Sequence, residues 1–353
     1  MNPQEVKSIL LFKLRYMGDV LMTTPAIRLL RQSYPKASIT MIVNKGTEDV
    51  LRYNPHLDQI VTIDREMVEK KPFYKRVPYE WKVLRDLRRG HYNISVDFDS
   101  GERGAYMALL SGIGIRIGFH YSKGFRRLIF THQVHREGVS HTVERNLLLV
   151  EKTMGLVRTD DTLELYTGPE DDRRMALWLQ RHQLSGKDFV IIQPGARFSS
   201  KLWPAEKWAS LIDILQKDLR LHVVVTGGQK EIKYLQTIMS GIKARVLSLV
   251  GQTTVLELAV LLKKASLFIG TDSGPMHIAA AVGTPLIALF GPTDPLVWGP
   301  WGKGHYVISR YLPCSPCKYT HCNLGKESCM EQISIEDVLN AVCQHFERPL
   351  PLQ

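Results

Sequence analysis

Long apolar runs are missing from this sequence of 353 residues. No stretch approaches the ~18 to 20 uninterrupted apolar residues of a membrane-spanning helix. The first residues, "MNPQEVKSILLFKL", contain an acidic residue and lack both the long apolar core and the small-residue cleavage site of a secretory signal. We therefore expect a cytoplasmic protein.

The sequence also lacks common signatures of nucleotide-binding and nucleic-acid-binding modules. It contains no Walker A pattern, G-x-x-x-x-G-K-[ST], which disfavours a P-loop kinase or NTPase. No complete G-x-G-x-x-G follows the first apolar run, which weakens the case for a nicotinamide dehydrogenase. Zinc-finger spacing, an RRM signature and basic heptads are missing as well, so we expect no nucleic-acid partner.

Acidic residues are fewer than basic ones, 35 against 46, which gives a formal net charge of +11. This excess favours polyanionic partners, namely nucleic acid, an anionic membrane surface or phosphorylated substrates. One segment, residues 70–89, combines aromatic residues with many cations. It suits a phosphate-binding or membrane-facing surface, and equally a solvated helix. Its cations are Lys70, Lys71, Lys75, Arg76, Lys82, Arg85, Arg88 and Arg89, and its aromatic residues include Phe73, Tyr74, Tyr79 and Trp81.

The alternation of apolar runs with helical segments defines the fold class. Hydrophobic residues make up 44% of the chain, enough for two domains with sizeable cores. Short runs rich in Val, Ile and Leu are typical of parallel strands joined by crossover helices. They occupy 8–14, 38–43, 59–64 and 94–98, and then 189–195, 222–228, 246–251, 266–272 and 285–291. The pattern predicts an α/β fold with two Rossmann-like domains that face a central cleft.

A polar segment separates the two sets of apolar runs. We predict an N-terminal domain over 1–168, a linker over 169–188 and a C-terminal domain over 189–353. The amphipathic segment 334–346 predicts a final helix. This helix either closes the second domain or crosses back to the first.

Polar side chains follow four of the predicted strands, where the carboxyl ends of parallel strands would bring them together. Asp19 follows Gly18 after the first strand. It is either a helix cap or a carboxylate that accepts a proton from a substrate hydroxyl. Lys201 follows the first strand of the second set, behind Ser199 and Ser200. This loop either binds a diphosphate or is an ordinary capped loop.

The other two strand ends contain glycines and acids. After 222–228, Gly227 and Gly228 allow close backbone approach, and Glu231 either binds a ribose diol or stabilises a helix dipole. In "FIGTDSGPMHIAAAVG", the strand ends through Asp272, Ser273 and Gly274, and His277 falls in the first turn of a helix whose N–H groups favour an anion.

Four of the five cysteines lie close together, at Cys314, Cys317, Cys322 and Cys329. A C-x₂-C pair suggests zinc or a redox centre. The complete spacing fits no standard zinc or iron–sulfur pattern, which favours reduced thiols or an oxidation-prone pair in a surface loop.

With these features in order, the sequence resembles the lipopolysaccharide heptosyltransferases of glycosyltransferase family 9, whose fold is GT-B. The resemblance covers nearly the whole chain, from "LLFKLRYMGDVLMTTPAIRLLRQSYPKASITMIV" to "GTDSGPMHIAAAVGTPLIALFGPTDPLVWGPW". "KLRYMGD" and "HTVERNLLLVE" are most similar to the heptosyltransferase III branch.

The resemblance implies an inverting transfer of L-glycero-D-manno-heptose from an ADP-sugar to the lipid A, Kdo and heptose inner core. The implied partners are ADP-heptose, the lipid A–core glycolipid and the anionic surface of the inner membrane, with the protein peripheral on its cytoplasmic face. We expect no metal or other cofactor, because Lys201, His277 and a helix N-terminus would neutralise the phosphates.

The resemblance also implies roles for individual residues. Asp19, in the M-G-D motif, would be the general base, and Lys201 would stabilise the leaving diphosphate. The remaining donor contacts would come from Gly18, Arg197, Gly228, Glu231, Thr253, Asp272, Ser273, Gly274 and His277. Family members often carry two threonines where this chain has Ala196 and Arg197. The N-terminal domain would bind the acceptor, with Lys75, Arg76 and Arg85 as candidates.

Two alternatives stay open from the sequence. A GT-B transferase could use another nucleotide sugar or acceptor. A non-catalytic basic protein that binds nucleic acid or anionic lipid would explain the charge, but it would not explain polar residues at four successive strand ends.

Overall fold

Two parallel β-sheets organise the part of the protein that the structure describes, a computed structural model covering residues 5–65, 67, 70–99, 102–120, 126–136, 138–317 and 320–350. The chain divides into two units, Met1–Tyr166 and Thr167–Gln353, with one six-stranded sheet in each. The predicted α/β class with two Rossmann-like halves is confirmed.

The first sheet has the strand order β3-β2-β1-β4-β5-β6. Its central strand β1 is buried along its whole length, as expected for an apolar run covered on both faces. Ile9 pairs with Ile39 of β2 on one side and with Ile94 of β4 on the other. The strands are β1 Ser8–Lys13, β2 Ser38–Asn44, β3 Gln59–Ile63, β4 Ile94–Asp97, β5 Ile115–Phe119 and β6 His132–Val134.

The second sheet has the order β12-β11-β10-β7-β8-β9. Its two central strands, β7 and β10, are fully buried. The strands are β7 Phe189–Gln193, β8 His222–Val225, β9 Leu247–Ser248, β10 Leu267–Thr271, β11 Leu286–Phe290 and β12 His305–Ser309.

Both sheets repeat the Rossmann strand order, in which the direction of winding reverses at the centre. The reversal lies between β1 and β4 in the first sheet and between β7 and β10 in the second. Ligands of such folds bind beside the carboxyl ends of the strands at this switch point. The topology therefore marks one edge of each sheet for the functional site.

Helices connect the strands, and several begin at capping residues that the sequence supplies. Thr254 and Glu257 form a reciprocal cap at one start, and Ser334 and Asp337 form another. The described α-helices are Met17–Leu21, Thr24–Ser33, Phe73–Arg89, Arg103–Leu110, Arg126–Ile129 and Thr142–Met154 in the first unit, and Pro169–Arg181, Ala205–Lys217, Ile232–Gly241, Val255–Lys264, Gly274–Ala281, Pro295–Trp298 and Ile335–Phe346 in the second. None of the described helices is long and apolar enough to span a bilayer.

Two helices bear on the predicted domain boundaries. The segment 169–188, interpreted above as a linker, contains helix Pro169–Arg181, which packs on helix Val255–Lys264 within the second unit. Arg174 Nη1 lies 2.6 Å from Glu257 Oε1 across this contact. The last helix, Ile335–Phe346, packs on helix Ala205–Lys217 and on β11 and β12, so it contacts its own unit.

Candidate functional site

A hydrogen-bonded cluster lies at the switch point of the second sheet. Lys201 ends a 3₁₀ turn, Ser199–Lys201, after β7, and Asp272 directly follows the adjacent strand β10. Lys201 Nζ lies 2.5 Å from Asp272 Oδ2, with 18% of the lysine side chain and 7% of the aspartate side chain exposed. Thr293, after β11, donates its hydroxyl to the same oxygen at 2.5 Å. Three successive strands of the sheet therefore contribute one side chain each.

A second set of contacts surrounds Glu231 at the ends of β7 and β8. Glu231 Oε2 accepts hydrogen bonds from the Gly228 N–H at 2.8 Å and from Gln193 Nε2 at 3.3 Å. Gln193 Oε1 in turn accepts a hydrogen bond from Thr226 Oγ1 at 2.7 Å. A Cβ at Gly195 would lie 2.3 Å from Glu231 Cδ, so any larger residue there would push the carboxylate from this position. Glu231 thus acts as a cap, and it also lies at the edge of the sheet where a ribose contact was predicted.

The helix after β10 begins beside Asp272. Ser273 is its N-cap residue, but the Ser273 side chain makes no capping hydrogen bond. Its Oγ is buried and has no hydrogen-bond partner within the described part of the chain. His277 lies in the first turn of this eight-residue helix, Gly274–Ala281, and is 5% exposed. A hydroxyl and the first N–H groups of a helix are thus both placed to bind an anion.

Arg197 and Thr253, the other predicted donor contacts, lie in loops of the same unit. Arg197 is exposed, with its guanidinium 5.7 Å from the ring centre of Phe198. Thr253 is half-buried and directly precedes Thr254, whose hydroxyl accepts the Glu257 N–H. The structure therefore brings Lys201 into contact with Asp272, and separately Gly228 into contact with Glu231. Arg197 and Thr253 lie beside neighbouring turns.

Three residues of this edge escaped sequence analysis: Thr293, Gln193 and Thr226. Thr293 is in "GPTD" directly after an apolar run, which was a usable signal. Gln193 is the polar last residue of β7, and its amide links Thr226 to Glu231. Thr293 and Gln193 follow the same rule that identified Lys201 and Asp272, namely that a polar residue lies where a buried strand ends.

Asp19 lies at the switch point of the first sheet. It is the third residue of the short helix Met17–Leu21, which follows β1, and it is half-buried beside the buried Gly18. The residue before the helix, Tyr16, has φ 41° and ψ 148°. Such a conformation costs a non-glycine residue of the order of 1–3 kcal/mol and is concentrated at functional sites. The backbone that leads to Asp19 is therefore held in a specific strained shape.

The acceptor candidates lie on helix Phe73–Arg89. Arg76 Nε lies 3.2 Å from Glu80 Oε1, and Lys75 Nζ lies 5.8 Å from the ring centre of Tyr74. The Arg85 side chain is 59% exposed, with its Nε 3.6 Å from Asp86 Oδ1. These residues form part of a surface that also exposes the aromatic side chains of Phe73, Tyr74 and Trp81.

The described part of the cysteine loop, residues 312–317 and 320–330, contacts this edge of the second sheet. The Cys317 N–H donates to Pro292 O at 2.7 Å, and Thr320 O accepts from Ser200 N at 3.3 Å. None of its four cysteines forms a disulfide, and burial, reinforced by the nearby thiols of Cys322, Cys317 and Cys314, raises the pKa of Cys329. Among the described side chains, no group of three or more His, Cys, Asp or Glu is arranged to hold a metal ion.

The fold and this geometry together define a class. Two Rossmann-like units with charged residues at each switch point, and a lysine beside a helix N-terminus in the second, are typical of enzymes that bind a nucleotide-linked substrate.

Comparison with known proteins identifies the family. The profile of glycosyltransferase family 9 (heptosyltransferase) matches residues 80–327, more than half of the chain. The chain is 32% identical to lipopolysaccharide heptosyltransferase 3 of Escherichia coli over 296 residues, which cover 82% of this chain and 85% of the relative. The chain therefore belongs to glycosyltransferase family 9 and is an enzyme of the heptosyltransferase type, as its motifs predicted.

Solved structures show the same fold. The crystal structure of the glycosyltransferase family 9 protein from Veillonella parvula DSM 2008 aligns with a TM-score of 0.82 at 23% identity, over 97% of each chain. E. coli heptosyltransferase WaaC with ADP aligns with a TM-score of 0.74 at 20% identity, over 96% of this chain and 99% of that chain.

Proposed function

We propose that the protein transfers L-glycero-D-manno-heptose from ADP-heptose to a hydroxyl of the lipopolysaccharide inner core, with inversion at the anomeric carbon. The observation that supports this most is the contact of Lys201 and Thr293 with Asp272 beside the helix N-terminus at Ser273. It occurs in a chain 32% identical to lipopolysaccharide heptosyltransferase 3 of E. coli. A lysine beside a helix N-terminus suits a leaving diphosphate, and a carboxylate suits sugar hydroxyls.

The donor would bind along the edge formed by β8, β7, β10 and β11. Lys201 keeps two of its three ammonium N–H donors for the phosphates while Asp272 holds the third. Ser273 Oγ and the first N–H groups of helix Gly274–Ala281 would bind the diphosphate. His277 lies in the first turn of the same helix. Glu231 would accept hydrogen bonds from the ribose hydroxyls, and Gly228 would allow the ribose to approach the backbone closely. Arg197 and Thr253 would contact the nucleoside.

The transfer step needs one base and one stabilised leaving group. Asp19 would take the proton of the acceptor hydroxyl while the oxygen of that hydroxyl forms the new bond to the anomeric carbon. The bond between that carbon and the β-phosphate oxygen breaks at the same time, and ADP leaves with the electron pair. Lys201 and the helix N–H groups would stabilise the charge that develops on the departing ADP, so we expect transfer without a metal ion.

The acceptor is a phosphorylated glycolipid of the membrane, and helix Phe73–Arg89 would bring the protein to it. Phe73, Val77 and Trp81 lie four residues apart on one face of this helix and are 78%, 38% and 58% exposed. Aromatic residues flanked by cations are typical of helices that lie in the interface of an anionic membrane. We therefore propose peripheral binding to the cytoplasmic face of the inner membrane, with Lys75, Arg76 and Arg85 near the acceptor phosphates.

The direct test is an assay with defined substrates. The protein is incubated with ADP-heptose and purified inner-core acceptors, and the product mass is measured. We expect the acceptor to gain one heptose with release of one ADP. Transfer from UDP-glucose or ADP-glucose at an equal or higher rate, or an unchanged acceptor mass with ADP-heptose, would overturn the proposed donor.

A further inference from the structure

Three buried charged side chains lie at the switch point of the first sheet, outside the residues to which a role has been given. Lys13 ends β1, and Asp97 and Asp99 lie at the end of the adjacent strand β4. Their exposed fractions are 6%, 1% and 5%. Burying charges costs several kcal/mol per ion unless each is paired and hydrogen-bonded. Three buried charged side chains in one place therefore indicate a specific arrangement of hydrogen bonds and ion pairs there.

Asp99 is the centre of this cluster. Its Oδ2 accepts the Leu14 N–H at 2.5 Å, and its Oδ1 lies 4.0 Å from Lys13 Nζ. Lys13 Nζ in turn donates to Phe98 O at 2.9 Å, and the Asp99 N–H donates to Asp97 Oδ1 at 2.8 Å. The ends of β1 and β4 are therefore joined by side chains just where the ladder of the sheet stops.

Leu14 is held from its other side as well. Its carbonyl oxygen accepts a hydrogen bond from Asn44 Nδ2, at the end of β2. Both polar backbone groups of Leu14 are thus bound by side chains, one at the end of β2 and one just after β4, the two strands that flank β1. Only Arg15 and the strained Tyr16 separate Leu14 from the helix that contains Asp19.

We infer that Asp99 is a positioning residue for Asp19, which it holds through the backbone of residues 14–16. The inference rests on the proposed function, because it concerns the base assigned there. A positive φ at a tyrosine persists only where its surroundings fix the backbone, and the Asp99 carboxylate holds the backbone two residues before Tyr16. A misplacement of about 1 Å at a reacting group can lower the rate ~10²-fold.

The test compares Asp99→Ala and Asp99→Asn with a matched control, Asp58→Asn. Asp58 also accepts a backbone N–H, that of Ile39 at 2.6 Å, and pairs with Arg31 at 2.5 Å, but it lies at the opposite edge of the same sheet. We expect Asp99→Ala to lower kcat roughly 10- to 100-fold with KM for ADP-heptose within about twofold, because all of the proposed donor contacts except Gly18 lie in the second unit. Asp99→Asn, which keeps an acceptor oxygen, should lose less, and Asp58→Asn should retain kcat.

Hydrogen exchange supplies a readout that does not depend on transfer. Amides of residues 14–22 should exchange at least tenfold faster in Asp99→Ala than in wild type, and no faster in Asp58→Asn. Unchanged exchange in this peptide, or a rise in KM with kcat retained, would overturn the inference. If the wild type shows no heptosyl transfer, the proposed function fails while exchange still decides the role of Asp99.

A second variant covers the case in which the Asp99 variants do not fold. Asn44→Ala removes the other bond to Leu14 without leaving a buried charge unpaired. It should speed exchange in residues 14–22 and lower kcat in the same direction. A folded Asn44→Ala variant with wild-type exchange and kcat would contradict the inference.

Discussion

Lys201 Nζ and Asp272 Oδ2 lie 2.5 Å apart, and Thr293 Oγ1 donates to the same carboxylate oxygen. The aspartate balances the charge of a lysine whose side chain is only 18% exposed, and it fixes the position of the ammonium group. An ammonium group has three N–H groups that can donate hydrogen bonds. The contact with Asp272 therefore orients Lys201 and leaves N–H groups that can donate to a diphosphate. The protein therefore presents an ordered cation at the proposed site for ADP-heptose.

We predict that Lys201→Ala lowers kcat/KM for ADP-heptose about 10²- to 10³-fold, because a stabilising charge on the departing ADP is lost. Lys207→Ala is the matched control. Lys207 has a similar exposed fraction, 23%, and faces the Glu331 carboxylate at 3.6 Å, but it lies outside the Asp272 cluster. Steady-state kinetics check the prediction, and wild-type kinetics for Lys201→Ala would remove this residue from the site.

Trp81 should contribute to membrane binding. Trp81→Ala is expected to weaken binding to vesicles of phosphatidylcholine with phosphatidylglycerol roughly fivefold, because about 1 kcal/mol of apolar burial is lost. Leu177→Ala is the matched control, since Leu177 is also 58% exposed but lies on helix Pro169–Arg181. Sedimentation with vesicles measures both. Equal binding by wild type and Trp81→Ala would contradict a membrane role for this helix.

The thiols of the cysteine loop should differ in reactivity. The pKa of Cys329 is raised by burial and by its neighbouring thiols, so its thiolate forms only at a pH above that of an ordinary cysteine. At pH 8, Cys314 and Cys322, which are exposed, should react rapidly with a disulfide reagent, and Cys329 slowly. Raising the pH should accelerate Cys329 most. If Cys314 and Cys322 react only after a chelator is added, and metal analysis finds one ion per chain, the assignment of reduced thiols is wrong.

Arg28 should contribute strongly to the stability of the first unit. Its guanidinium, with 9% of the side chain exposed, lies 2.5 Å from Glu164 Oε1 and 3.0 Å from Asp160 Oδ2. Arg28→Ala leaves the largely buried Glu164 without this cation, so we expect a loss of about 3 kcal/mol in the free energy of unfolding. The pair of Arg52, which is exposed, and Asp49, which is half-buried, is the control, and Arg52→Ala should cost less than about 1 kcal/mol. Similar losses in denaturant titrations of the two variants would contradict the role of burial.

The strands that were predicted from sequence are those that lie in continuous apolar runs. β1, β7 and β10 are apolar along their length because both faces are covered. The strands β5, β6 and β12 escaped prediction because polar residues, among them Arg116, His132 and His305, interrupt their apolar character. Without a continuous apolar run these three strands are not detected by hydrophobic periodicity, whereas the edge strands β3 and β9 lie in apolar runs and were predicted.

The residues of the candidate site also divide into features that the sequence predicted and features that it did not. Lys201 and Asp272 were each predicted from their positions after buried strands. Their contact was not, because it depends on β7 lying beside β10, an adjacency that skips two intervening strands of the chain. Asp99 was missed for a related reason, since its partner Leu14 is 85 residues away in sequence. Spacing along the chain predicts which residues reach an edge, whereas strand order decides which of them touch.

Asp19 is the central residue of the proposed mechanism, and Asp19→Asn preserves its shape while removing the base. Because all of the proposed donor contacts except Gly18 lie in the second unit, ADP binding should be nearly unchanged by this substitution, as calorimetry can verify. Asp19→Glu is a useful companion, because it keeps a carboxylate at a shifted position and should retain partial activity.

The decisive measurement is the single-turnover rate of heptose transfer by Asp19→Asn with saturating ADP-heptose and a defined inner-core acceptor. We predict a rate at least about 10³-fold below wild type, within the range expected when a general base is lost, together with wild-type affinity for ADP. A rate within a few-fold of wild type would show that another group accepts the proton, and it would contradict the assignment of Asp19 as the base.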